Sequence, residues 1–271
     1  MAIQEQEAKK IHLLDSQNYH SSEANKIYMS NSQYKDFLEC EAMAMAKISG
    51  EWVMETTDAM LVGSYVHASV EGTLEQFTLE HPEMFTQKGE LKAAFKQADQ
   101  MISALKNDEF VQFVLNGLHE HVIVAEFAGV LWKAKLDVYQ PGERIADIKT
   151  VRSIREKHWD KQFGWVSFAE KFGYIRQLAI YSELVKIQTN SKGWVEPLIV
   201  AVSKEDPPDK EVIGIDPWRM EYELEQVTQN MSRIIAVKSH IEQPKRCEKC
   251  KYCRSTKQLQ DVVHYADLIA E

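Results

Sequence analysis

A chain of 271 residues, 44% hydrophobic and 27% charged, has the make-up of an ordinary globular protein, long enough for one large domain or two small ones. No apolar run reaches the ~18 residues of a membrane-crossing helix, and the opening MAIQEQEAKK is no secretion signal, so a cytoplasmic protein with reduced cysteines and no membrane partner is expected. The formal charge of −9 runs against nucleic acid as a partner, although net charge does not fix the charge of any one face.

Residues 1–25 are polar and read as an irregular or peripheral segment, which leaves 26–271 as the folded domain. SNSQYKDFLECEAMAMAKIS opens on a Ser/Asn cap signal and repeats apolar residues at helical spacing through Tyr34, Phe37, Leu38, Ala42 and Met45. GSYVHASVEGTLEQFTLEH reads as a second helix, on which His67 and Glu71, four apart, share a face. ELKAAFKQADQMISALKND is a third, amphipathic one. The texture then changes: HVIVAEFAGVLWKAKLDVYQPGERIADIKTV is rich in β-branched and aromatic residues, with a turn at Pro141-Gly142. Helix is expected again over WVSFAEKFGYIRQLAIYSELVKIQ, two strands over WVEPLIVAVSKEDPPDKEVIGI, and a long last helix before the cysteines at 245–257. The sum is a single α/β domain with a small central mixed sheet flanked by helices.

Within ADIKT, Asp147 and Lys149 are two apart and therefore share one face of a strand. Asp137 lies on the preceding strand, and a three-residue loop, Pro141-Gly142-Glu143, sets it opposite Asp147, whereas a two-residue turn would put the acids on opposite faces. Carboxylates gathered this closely repel and call for a hard cation such as Mg²⁺. Lys149 beside them can orient or deprotonate a water, or stabilise charge on a phosphate. Cys247, Cys250 and Cys253 are packed into CEKCKYC, a clustering that asks for a metal more than for disulfides.

GSYVHASVE, Glu126, KLDVY, ADIKT and RQLAIYSEL, in this order, resemble the PD-(D/E)XK nucleases of the RecB/RecE type, and YMSNSQYKDFLEC resembles the opening of RecE-like phage exonucleases. The resemblance spans roughly 28–255. It implies metal ligands at His67, Glu126, Asp137 and Asp147, and catalytic roles for Asp137, Asp147, Lys149, Gln177 and Tyr181. It implies two Mg²⁺ (or Mn²⁺) per site and Mg-dependent resection of linear double-stranded DNA ends, 5′→3′. It also implies a homo-oligomeric ring and a RecT-like single-strand annealing protein as partner. The basic run leaving the acid pair, with Arg152, Arg155, Lys157 and Lys161, and Arg176 further on, is then expected to meet DNA. Cys40 with the three C-terminal cysteines resembles the iron–sulfur staple of some RecB-type nucleases, though those usually have a longer gap before the last cysteine. Four thiolates suit a [4Fe–4S] cluster or tetrahedral Zn²⁺. Other readings are a Cas4-like iron–sulfur nuclease and a catalytically idle, metal-stapled DNA-binding module.

Overall fold

A computed structural model describes residues 14–259 and 261–268. Its centre is a five-stranded sheet, in the order β1 (Leu118–Phe127), β2 (Val130–Gln140), β3 (Arg144–Val151), β6 (Glu196–Ser203) and β7 (Lys210–Gly214). The β3–β6 pair is parallel and the other three are antiparallel, so the sheet is mixed. β4 (His158–Asp160) and β5 (Gly164–Val166) form a separate hairpin.

Helices of nine or more residues are α1 (Asn31–Glu39), α2 (Glu41–Ser49), α3 (Asp58–Glu71), α4 (Ala93–Lys106), α5 (Tyr174–Thr189) and α6 (Pro217–Lys238). They cover both faces of the sheet. Ile145 and Val151 of β3, with Ile199 and Ala201 of β6, pack under α1, α5 and α6. Ala146, Ile148, Val200 and Val202 pack on the other face under α3 and α4. Strands buried on both sides read as continuous apolar runs, which is why PLIVAV shows no alternation. Each fully buried Val or Ile there stabilises the fold by ~1.5–3 kcal/mol relative to exposure.

Several boundaries differ from the sequence expectation. The first helix is broken at Cys40, whose backbone is extended (φ −165°, ψ 110°), while the Ala42 amide turns to the Lys245 carbonyl at 3.1 Å. Local propensity favours continuity here, but contacts with the far end of the chain override it. Gly72 (φ 78°) ends α3, and Gly173 (φ 74°) separates a short helix at Phe168–Lys171 from α5, since positive φ stops a right-handed helix. The strand-rich region holds one more turn than Pro141-Gly142 announces. Ala128 (φ 48°) and Gly129 (φ 84°) make a two-residue turn with both central φ positive, the type I′ geometry that joins β1 to β2.

The boundary near residue 25 also shifts. Residues 1–13 lie outside the described residues, but Ser22–Ile27 is helical, and Tyr19 and Ala24 are buried against the domain. The buried Lys133 of β2 donates to the Tyr19 carbonyl and, at 2.8 Å, to Asn25 Oδ1. A cation this deep needs such acceptors, so residues 19–25 complete the fold rather than decorate it.

Candidate active site

The β2–β3 ladder pairs Gln140 with Arg144, Tyr139 with Ile145 and Val138 with Ala146, and there it stops. The loop is the three residues Pro141-Gly142-Glu143, so Asp137 and Asp147 are next in register. Beyond Val138 the strands splay, and the gap leaves the Ile148 peptide without a β2 partner. Asp137 fills half of it by accepting the Ile148 amide on Oδ2 at 2.8 Å. His67 of α3 fills the rest: Nε2 lies 3.0 Å from the Ile148 carbonyl and Nδ1 3.5 Å from Asp137 Oδ2.

On β3, Asp147 is 3% exposed. Gln177 of α5 donates to Asp147 Oδ1 at 2.7 Å, and Gln177 Nε2 stands 3.3 Å from the Tyr181 hydroxyl one turn on. Oδ2 touches the Lys149 ammonium at 2.5 Å outside hydrogen-bond geometry, and among the described residues it has no hydrogen-bond partner. Lys149 rests over the Tyr174 ring, 4.7 Å from its centroid. Burial pushes the Asp147 carboxyl up to about 6, with Lys149 pulling it down and Asp137 adding to the rise. Burial opposes the charge on Lys149, yet the Asp147 and Asp137 carboxylates outweigh it and hold its pKa above the ordinary value.

The donor set suits a hard divalent cation: two carboxylates, a ring nitrogen and a peptide carbonyl at one gap, with one buried carboxylate oxygen lacking a hydrogen bond. Lys149 sits where such an ion would meet Asp147, so the two compete for that oxygen.

Asp137, Asp147, Lys149, His67, Gln177 and Tyr181 are thus brought together. Gln177 and Tyr181 stand behind Asp147, linked to its Oδ1 through the Gln177 amide. Glu126 is not brought in. The two-residue turn sets Glu126 opposite Leu131, exposed at the hairpin end, about six strand residues or ~20 Å from the position facing Asp137. The same register faces Asp137 with Glu120, which the sequence reading passed over. Glu120 breaks the ladder with φ 52° and pairs with Lys135. Glu71, one turn after His67, joins them; half-burial and the Glu120 charge raise its pKa. Glu120 could have been found from Ala128-Gly129, whose register fixes it.

Among the basic residues, Arg152, Lys157 and Lys161 are exposed, Arg152 meeting only Glu156 at 3.8 Å and the two lysines no acid among the described residues. Arg155 is held by Asp209 and Glu211. Arg176 is half-buried, its guanidinium 5.4 Å from the Tyr34 ring centroid, and both line a cavity between α1, α6 and the β4–β5 hairpin.

Away from this gap, Cys40, Cys247, Cys250 and Cys253 present four sulfurs within 4.8 Å of one another, a group that could hold a metal ion.

A mixed sheet carrying two acids and a lysine where two strands part, backed by a Gln/Tyr helix, defines a PD-(D/E)XK-like domain. The chain belongs to the family described as "PDDEXK-like domain of unknown function (DUF3799)", which matches residues 30–256. It is similar to the crystal structure of a "Putative exonuclease" from Eubacterium rectale, at 40% identity and TM-score 0.91, over 95% of this chain and 98% of that one. The solved structure of SSO0001 aligns over 81% of this chain and 92% of its own at 17% identity, but with a TM-score of 0.29 it carries no argument. No curated protein matches. No helix among the described residues is long and apolar enough to cross a membrane.

Proposed function

We propose that this protein is a metal-dependent exodeoxyribonuclease that resects linear double-stranded DNA ends, 5′→3′, within a cytoplasmic recombination system. The observation that carries the reading is the buried Asp147, fixed on one oxygen by Gln177 and left without a hydrogen bond on the other, beside Asp137, His67 and Lys149. The E. rectale neighbour's description supports the exonuclease class.

Two Mg²⁺ or Mn²⁺ ions held by His67, Asp137, Asp147 and the Ile148 carbonyl would activate water and neutralise charge on the leaving oxygen. Asp137 fixes the mouth of the gap through the Ile148 amide, and Gln177 prevents Asp147 from rotating. Lys149 serves as a positioned cation toward water or a phosphate oxygen. Water adds to phosphorus, the P–O bond to the departing sugar oxygen breaks, and that oxygen takes a proton. A homo-oligomeric ring with a basic lining would reconcile the acidic total with DNA binding, and a RecT-like single-strand annealing protein would receive the strand exposed. Linear duplex labelled at the 5′ or 3′ end should be shortened from its ends with Mg²⁺ and left intact with EDTA. A closed circle of the same sequence should survive; cutting of the circle, or no cutting of either, would remove the exonuclease.

At the cysteines the spacing favours Zn²⁺ over a [4Fe–4S] cluster. Sulfur pairs stand at 3.5 Å (Cys40–Cys253) and 3.9 Å (Cys247–Cys253), and all four lie within 4.8 Å of one another, against the ~3.8 Å edge of a tetrahedron with 2.3 Å zinc–sulfur bonds. A four-iron cube binds each thiolate to a different iron and so spreads them wider. The Cys250 amide to Cys247 Sγ (3.3 Å) and the Cys253 amide to Cys250 Sγ (3.4 Å) orient the sulfurs. Anaerobically purified protein should hold one zinc per chain and no visible iron–sulfur absorption. Cys40→Ser and Cys250→Ser should lower the melting temperature alike, each opening a loop of over 200 residues worth up to ~4–5 kcal/mol by the cross-link estimate. Metal-free protein of full thermal stability would exclude the staple.

A further inference from the structure

The β4–β5 hairpin interrupts the path from β3 to α5, both of which carry site residues, and its His158 lines a cavity shared with Tyr174, the ring under Lys149. Thr150, Arg152, Ser153, His158, Phe172 and Tyr174 are among the residues lining this 380 Å³ space. The rings are continuous. His158 meets Phe172 edge-on with centroids 5.2 Å apart, Phe172 lies 6.0 Å from Tyr174, and Tyr174 lies under the Lys149 ammonium.

The wall is firmly built for so short a hairpin. Asp160 Oδ1 accepts from the Gln162 and Phe163 amides at 2.9 and 3.2 Å, and Lys171 donates to the Trp159 carbonyl at 2.6 Å. Trp159 and Trp165 pair across its outer face, centroids 5.5 Å apart. His158 and the buried Val166 form the opposite register pair. Phe172 nevertheless stays 42% exposed inside a concave, partly aromatic site. An aromatic surface left open beside a reactive cation, with a loosely paired arginine at its rim, matches the chemistry of an unstacked nucleobase and its phosphate.

We propose that this cavity is a nucleobase-stacking subsite that takes the single nucleotide next to the scissile phosphate, its base on Phe172 and His158 and its backbone toward Arg152. The volume lies near the low end of small-molecule sites, roughly 300–1,000 Å³, room for one nucleotide. Stacking tolerates any base, so the subsite selects single-stranded character rather than sequence. The inference rests on the nuclease reading.

The test uses the full chain in EDTA with a ten-nucleotide single strand carrying 2-aminopurine at its 5′ end, its 3′ end or its middle, and binding followed separately by the anisotropy of a distal dye. At saturation, one terminal probe should lose most of its fluorescence while the central probe changes little. Phe172→Ala should abolish that quench and weaken binding about tenfold, while Phe172→Tyr retains both. Arg152→Ala, at a side chain 87% exposed, should weaken binding and lower its salt slope by about one without removing the quench at saturation. Unquenched probes at both ends, quenching that survives in Phe172→Ala, or no binding of the strand would overturn the subsite. Mg²⁺-dependent shortening of plain duplex by the same preparation keeps the two questions apart. Cleavage without quenching sinks the subsite alone, and absence of cleavage sinks the nuclease.

Discussion

Lys149→Met is expected to cut turnover by ~10²–10⁴-fold, the scale of a positioned proton-transfer or charged group, while divalent-metal affinity at pH 8 holds or improves. Lys149 lies 2.5 Å from Asp147 Oδ2, so it occupies the neighbourhood an entering cation needs. Removing its charge takes away repulsion toward the metal and leaves both carboxylates in place. Methionine keeps most of the volume over the Tyr174 ring, so packing around β3 should survive. Calorimetric titration with Mn²⁺ and single-turnover cleavage of duplex separate the two effects. Metal binding that collapses, with full activity regained at high Mg²⁺, would make Lys149 an electrostatic bystander.

Asp147→Asn should lower cleavage by at least ~10²-fold, because a neutral amide neither binds a hard cation well nor activates the water behind it. The same variant carries a stability signature. In metal-free protein the Asp147 carboxyl titrates at about 6 against an ordinary value near 3.9. Between those values the native state keeps a proton that the unfolded chain has released, so stability falls as pH rises through the window. The loss is complete above about 6 and absent below about 4. Asparagine has no such titration, so the variant lacks this pH-dependent loss. The melting temperature of Asp147→Asn relative to the parent, in EDTA, should therefore climb from pH 4 to pH 7. A flat difference would mean that Asp147 titrates normally, and cleavage within tenfold of the parent would remove it from the site.

Much of the arrangement was legible because it follows from short-range rules. The i, i+2 spacing of Asp147 and Lys149 puts both on one face of a strand whatever surrounds it. A three-residue loop at Pro141-Gly142-Glu143, one of two turns the sequence allows, sets Asp137 against Asp147, and the structure adopts it. Gln177 and Tyr181, four apart, meet on any helix. The mixed α/β character likewise shows in the change from 3.6-residue periodicity to β-branched runs.

What local rules could not supply was the outcome of competition between distant segments. Glu126 and Glu120 are both acids upstream of Asp137; only the Ala128-Gly129 turn, with both residues at positive φ, decides that Glu120, not Glu126, comes level with Asp137 in the strand order. Arg176 reads as a free cation until Tyr34, over 140 residues earlier, is stacked beneath it. Cys40 lies in a sequence with every helical preference and is nonetheless extended, because the C-terminal cysteines and the Lys245 carbonyl draw it out. By itself the sequence determined the chemistry on offer: two acids and a lysine in register, four thiols, and helix and strand in a fixed order. Which acid stands beside them, which cations remain free for a phosphate, and where an open aromatic cleft adjoins the lysine were decided by tertiary packing. Burial and charge pairing depend on neighbours that the chain brings from far away.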